Sequence, residues 1–305
     1  MKLLFLFLDG IGLGQNDPEK NPFTRAGMPH LNSLLDGRTL IQDSAPFEND
    51  RATLLSVDPN LGVQGFPQSA TGQSVLLTGI NIPAELGYHY GPKPNPETAQ
   101  YLHERTIFAK TVKAGKKAAL LNAYPPRYFD GIDSGKRLYS AIPQAVTNAG
   151  LPLFTQEDLY AGRALSADFT GKGWREFMKL DDSPLFEAEE AGEKLAGLAS
   201  QFDFSFFEYW ASDYAGHKQD MDWAIRQLET FDDVLRGLLN NWRAEDGLIL
   251  LTSDHGNMED LSTRRHTDAN VPLLLFGDMA LRREFHRDIH DLTGIAPAIS
   301  RFLEI

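Results

Sequence analysis

Apolar residues fall in two textures along this chain. Uninterrupted runs occupy residues 2 to 8, Lys117 to Leu121, Phe204 to Trp210 and Gly247 to Leu251, with a fifth at Val271 to Phe276. A run without polar alternation suits a strand covered on both faces, as in a parallel sheet. Between these runs lie helix-like segments: Glu104 to Ala114 closed by Gly115, Phe186 to Gln201, and a long one from near Gln219. In the last, Met221, Ala224, Leu228, Phe231, Leu235 and Leu238 recur at steps of three and four and form one stripe for core packing. Strands alternating with helices predict the α/β class, a doubly wound and mostly parallel sheet whose ligand sites lie at the carboxyl ends of its strands. Residues 123 to 180 are less regular, with Pro125-Pro126 and scattered glycines. They are expected to form a small cap-like insertion over those strand ends, within a single domain spanning residues 1–305.

The strand ends carry the polar residues that such a site needs. The first run stops at Asp9-Gly10, the run Phe204 to Trp210 leads into Asp213 and His217, and the run Gly247 to Leu251 leads into Asp254-His255. His266 follows a few residues later. The first loop, DGIGLGQNDPEK, invites a dinucleotide-binding reading, but Gln15 stands where the third glycine of G-x-G-x-x-G belongs. Asn16-Asp17-Pro18 also interrupts the helix that would receive a pyrophosphate.

Composition narrows the chemistry. With 29 Lys and Arg against 42 Asp and Glu, the formal charge is 29 − 42 = −13, and there is no basic cluster. A nucleic-acid partner is therefore not expected. There are no cysteines, so a metal would have to sit on Asp, Glu, His and hydroxyl groups. The absence of cysteine also fits a reducing, cytoplasmic setting. The opening apolar stretch is too short for a signal peptide, and nothing approaches the ~20 apolar residues of a membrane-spanning helix.

Asp213, His217 and His266 form a set of two imidazoles and a carboxylate, and Asp9, Asp254 and His255 a set richer in oxygen. The first suits zinc or manganese, and two divalent ions side by side are a known device for phosphoryl displacement. The candidate nucleophile is Ser69 in GFPQSATGQSVLLTG, where it opens a helix-like run. There the backbone N–H groups and the helix dipole favour negative charge. The bland alternative is an ordinary capping serine. Thr71, two residues on, is the rival hydroxyl and is expected to help shape a phosphate pocket.

Taken together, these motifs resemble the alkaline phosphatase superfamily, in its branch of cofactor-independent phosphoglycerate mutases and phosphopentomutases. The resemblance is carried by Asp9-Gly10, Ser69-Ala-Thr-Gly-Gln, Asp213-x-x-Gly-His217, Asp254-His255-Gly-Asn257-x-Glu259, and His266-Thr267 leading into Val271-Pro272. It implies one metal on Asp213, His217 and His266, a second on Asp9, Asp254 and His255, and Ser69 bridging to the second metal as phosphoryl acceptor. The chain departs from those mutases at Gln73, where they carry histidine, and in having little room between Gly79 and Asp213 for their large capping domain. The expectation is therefore a two-metal phosphoric ester hydrolase acting on a small-molecule phosphate ester through a phosphoserine. A phosphomutase is the first alternative and a non-catalytic metal- or phosphate-binding protein the second. Oligomeric state is not legible.

Overall fold

The computed structural model describes all 305 residues. Seven strands form one sheet: β1 Lys2–Leu8, β2 Phe47–Glu48, β3 Ala52–Val57, β4 Ala118–Leu120, β5 Phe204–Tyr209, β6 Gly247–Thr252 and β7 Val271–Phe276. Their spatial order is β2-β3-β7-β6-β1-β5-β4. The four strands β4, β5, β1 and β6 are parallel. β7 runs antiparallel to β6, β3 antiparallel to β7, and β2 antiparallel to β3.

Successive residues of β1 belong to opposite layers, which is why that strand has no polar alternation. Leu4, Leu6 and Leu8 join one core with the helices Ala188–Ala199 and Met221–Asn241. Leu3, Phe5 and Phe7 join the other with the helices Ser69–Thr78, Ile107–Lys113, Ala141–Asn148 and Ile295–Leu303. Both faces of the sheet are thus covered, as the uninterrupted runs required.

The antiparallel edge differs from the expected texture. A parallel return from β6 to β7 would need a crossover, usually a helix. Residues 253–270 instead form a loop that brings the chain straight back. β2 and β3 were not legible as strands, because β3 is secured by β7, more than two hundred residues away.

The segment 123–180 is largely built into the body. Helix Ala141–Asn148 buries Ala141, Ile142, Ala145 and Val146 in the same core as helix Ser69–Thr78. Leu165 and Phe169 enter the other core, and Phe169 stacks on Phe207 of β5 at 4.6 Å. These apolar side chains would be exposed in a free-standing cap, so the segment packs down on the sheet. No helix is long and apolar enough to cross a membrane.

Candidate metal centre and nucleophile

Strand register brings the carboxylates together. Leu8 pairs with Tyr209 and Phe7 with Thr252, so β1, β5 and β6 end nearly level. Continuing that register sets Asp9 beside Asp254. Past the end of β5 the chain turns into the helix Ala211–Lys218, whose first turn carries Asp213. His217 lies four residues on and therefore on the same helix face, with Nε2 3.3 Å from Asp213 Oδ2. His266 comes from the loop that returns to β7, and its Nε2 lies 3.7 Å from Asp213 Oδ1.

Asp9, Ser69, Asp213, His217, Asp254, His255 and His266 all meet at this one place. His255 Nε2 lies 3.1 Å from Ser69 Oγ, 3.4 Å from Asp9 Oδ1 and 3.5 Å from Asp254 Oδ2. The rings of His255 and His266 stack at 3.7 Å, and that of His217 lies 5.2 Å from His266. Two sets of donor atoms lie within 4.8 Å of one another: Asp213, His217 and His266, and Asp9, Asp213 and His255. The second set differs from the sequence-based grouping in one member. Asp213 belongs to both sets, and Asp254 joins neither although its Oδ2 lies 3.5 Å from His255 Nε2.

Ser69 is the first residue of helix Ser69–Thr78, and Gln68 occupies the cap position without a side-chain capping bond. The serine hydroxyl thus makes no cap and turns to His255 instead. Gly72, one turn further, lets the helix close on the strand end, since a Cβ there would sit 2.9 Å from the Asp254 side chain and carbonyl. Thr71 is fully buried, and its hydroxyl is engaged with the carbonyl of Gln68 at 3.1 Å and the backbone of Tyr90. It fastens the Tyr88–Tyr90 loop to the helix start. Gln73 points its amide toward Asp9 Oδ2 at 3.5 Å.

The glycine loop after β1 also finds its explanation here. At Gly10, with φ +67°, a Cβ would lie 2.6 Å from Asp213 Oδ1, and one at Gly12 would lie 2.6 Å from the Glu259 carboxyl carbon. These glycines admit protein carboxylates, not a pyrophosphate.

Electrostatically the cluster is dominated by carboxylates, and His217 is the one imidazole in it whose pKa is raised, by its hydrogen bond to Asp213. Asp9 Oδ1 and both Asp254 oxygens are buried without a hydrogen-bond partner. Burial, aided by the neighbouring carboxylates, pushes Asp9 well above the usual carboxylate range. Burial and Asp213 push Asp254 up to about 8. Asp213 is the exception: burial opposes its ionisation, but hydrogen bonds from His217 and Asn257 and the proximity of His255 hold it well below the ordinary value. Burial, then His266, lowers His255 to about 3, and burial lowers His266. Both imidazoles are therefore neutral, the form that binds metal.

His217 and His266 are also oriented as ligands are. Each directs Nδ1 to a carbonyl at 2.8 Å, of Arg264 and Pro67 respectively, leaving Nε2 to face the cluster. Orphaned buried carboxylate oxygens beside neutral, anchored imidazoles fit divalent cations.

A family model described as the Metalloenzyme superfamily matches residues 177–305, which include Asp213, His217, Asp254, His255 and His266. The 2,3-bisphosphoglycerate-independent phosphoglycerate mutase of Yersinia pestis (strain Pestoides F) is 29% identical over 134 residues, 41% of this chain and 25% of the mutase. The enzyme of the same name from Desulforudis audaxviator is 29% identical over 39% of this chain and 24% of its own length. Alkaline phosphatase from the Antarctic bacterium TAB5 shares the fold, with a TM-score of 0.56 at 14% identity over 99% of this chain and 98% of that one. The PH0037 protein of Pyrococcus horikoshii does so at 0.56 and 17%, over 99% and 96%. Residues 177–305 are thus similar to the Metalloenzyme superfamily, and the chain as a whole shares the alkaline phosphatase fold. The donor set of this centre is of a kind that suits divalent cations.

Sequence reasoning assigned no role to several residues that shape this centre. Asn257 donates to Asp213 Oδ1 at 2.6 Å, and Ser253 accepts from Ile11 N at 2.9 Å while donating to the His255 carbonyl. Glu208, near the end of β5, is buried, and its carboxylate accepts only from the Tyr124 hydroxyl at 3.3 Å. A signal for Asn257 was present in the Asp254-His255-Gly-Asn257-x-Glu259 motif. For Glu208 there was only a carboxylate inside an apolar run.

Proposed function

We propose that this chain transfers the phosphoryl group of a small phosphate monoester through Ser69, as a phosphomutase. The carrying observation is the position of Ser69 Oγ, at a helix start and 3.1 Å from His255 Nε2, beside carboxylates with no partner of their own. Asp213, His217 and His266 would hold one divalent cation, zinc or manganese, and Asp9, Asp254 and His255, with Asp213 close by and Ser69 adjoining, would hold another. Bound cations would supply the positive charge that attracts a phosphate and makes a serine hydroxyl easier to ionise.

The chain's own residues account for the rest. The first-turn N–H groups of helix Ser69–Thr78 lie where negative charge is favoured. Helix packing through Gly72 fixes Oγ against the strand end, so little reorganisation is needed for attack. In the first step the Oγ–P bond forms, the ester P–O bond breaks, and the leaving oxygen takes a proton. In the second, a hydroxyl of the bound product attacks phosphorus, the Oγ–P bond breaks, and the serine regains its proton.

The names of the relatives, which match about two fifths of this chain, support return of the phosphoryl group to the substrate over release to water. One observation favours the hydrolase as a second reading. The segment 123–180 packs into the cores, and Asp213 and His217 face a solvent-open side flanked by exposed Trp210 and Tyr214. Water shares such a site with any second hydroxyl.

The experiment is to incubate metal-loaded protein with phosphoglycerate labelled on phosphorus. Movement of label between the two hydroxyls without free phosphate supports the mutase, and free phosphate the hydrolase. Tight phosphate binding with neither outcome, across a panel of monoesters, would identify a binding protein.

A further inference from the structure

We propose that Glu259 is the positioning residue of the metal centre, a buried carboxylate that fixes the spacing of the loops bearing its ligands; this rests on the metal-dependent function proposed above. Glu259 is 3% exposed and forms no ion pair with any Lys, Arg or His. Its Oε2 accepts from Gly12 N at 2.9 Å and from Asn257 N at 2.8 Å, and its Oε1 accepts from the Thr267 hydroxyl.

Each of those three donors leads to a different part of the centre. Gly12 lies three residues beyond Asp9. Asn257 lies two residues beyond His255 and donates its side-chain amide to Asp213. Thr267 follows His266 directly, and its N–H bonds the Gly256 carbonyl at 3.0 Å. One side chain therefore connects the segments carrying Asp9, Asp213, His255 and His266, although those segments are far apart in sequence.

Its fit is tight on two sides. A Cβ at Gly12 would lie 2.6 Å from the Glu259 carboxyl carbon, and one at Gly256 2.4 Å from Oε1. Glu259 joins neither set of candidate ligand atoms. It also lines a polar cavity of about 590 Å³, together with Thr267, Asp268 and the Leu13–Gln15 loop. Burial raises its pKa while its hydrogen bonds oppose that rise. Outer partners of this kind act through ligand geometry, and their loss typically weakens metal binding about 10–100-fold.

The test compares Glu259→Ala, Glu259→Gln and Asp232→Asn. Asp232 is a second buried carboxylate, accepting from His30 N at 3.0 Å and Leu31 N at 2.7 Å away from the centre. Metal-free melting and Zn²⁺ affinity, by competition with a chelating dye, are measured for each protein. Glu259→Ala is expected to lose about 10–100-fold in Zn²⁺ affinity. Glu259→Gln, whose carbonyl still accepts from both N–H groups, should return to within a few-fold of wild type. Asp232→Asn should melt lower and bind Zn²⁺ as wild type does.

Wild-type affinity in Glu259→Ala, with only a lowered melting point, overturns the proposal. If that variant does not fold, Thr267→Val removes one donor, and its unchanged affinity would be equally fatal. Zn²⁺ binding by wild type without turnover of any ester would refute the proposed function and leave this affinity test intact. Wild type that binds no Zn²⁺ overturns both.

Discussion

Two regions of this protein bury charge, and they treat it in opposite ways. On the antiparallel flank the guanidinium of Arg282 is fully buried and donates to Thr53 Oγ1, Gly277 O, Asn49 O and Asp50 O at 2.7–3.0 Å. Asp232 likewise caps the helix Pro29–Leu34 with two backbone bonds. At the carboxyl ends of β1 and β6, Asp9 and Asp254 are buried as deeply, yet three of their four oxygens have no partner. Burying an unpartnered polar group costs stability, so a satisfied one reads as architecture and an orphaned cluster reads as a place for something else. The flank is complete as protein. The centre leaves acceptor oxygens free, as the proposed cation sites require.

The largest expected break in this contrast is chemical. Ser69→Ala should lower phosphoryl transfer by about a thousandfold or more, about 4 kcal/mol of barrier. Its melting temperature should stay near wild type, as steady-state kinetics and calorimetry on the same preparation would reveal. Arg282→Met should behave in reverse. Stranding the acceptors it serves should cost roughly 3–4 kcal/mol in urea denaturation, with turnover per folded molecule unchanged.

Glu208 sharpens the comparison through pH. It faces Tyr124 and Tyr128 and lies near Asp9, and burial raises it from 4.5 to about 7, against the hydrogen bond from Tyr124. An acid raised on folding binds more protons in the folded state, so it lowers stability as pH rises from its unfolded pKa to its folded one. Metal-free wild type should therefore lose on the order of 3 kcal/mol more than Glu208→Gln between pH 4.5 and 7. Parallel denaturation profiles for the two proteins would contradict this.

Cation binding should add stability at the centre alone. At a hundredfold excess over its dissociation constant, Zn²⁺ or Mn²⁺ should stabilise wild type by about 2.7 kcal/mol. The smallest effect has an unusual sign. Asp254→Asn, which replaces an unpartnered buried carboxyl whose ionisation folding suppresses, should make the metal-free protein about 1 kcal/mol more stable while weakening cation binding. A destabilised metal-free variant would mean that Asp254 belongs with Arg282 and Asp232 as framework.

The parallel half of the sheet was legible in the sequence because burial on both faces leaves a local mark, an unbroken apolar run such as Leu3 to Leu8. The polar residues that end those runs were legible for the same reason, since a buried strand does not stop at Asp9 or Asp254-His255 by packing preference. Ser69 was recognisable only in company with them.

What the sequence could not determine was whatever depends on a partner distant in the chain. β3 exists as a strand because β7 pairs with it, and the segment 123–180 packs down because two cores accept its apolar side chains. That Asp213 belongs to both sets of donors, that Thr71 spends its hydroxyl on Tyr90, and that Glu259 joins three loops are likewise matters of distance and direction. Residue types and their order fix what chemistry is on offer; only packing brings side chains within hydrogen-bonding or coordination range, because those interactions fade over a few ångströms that local sequence does not encode.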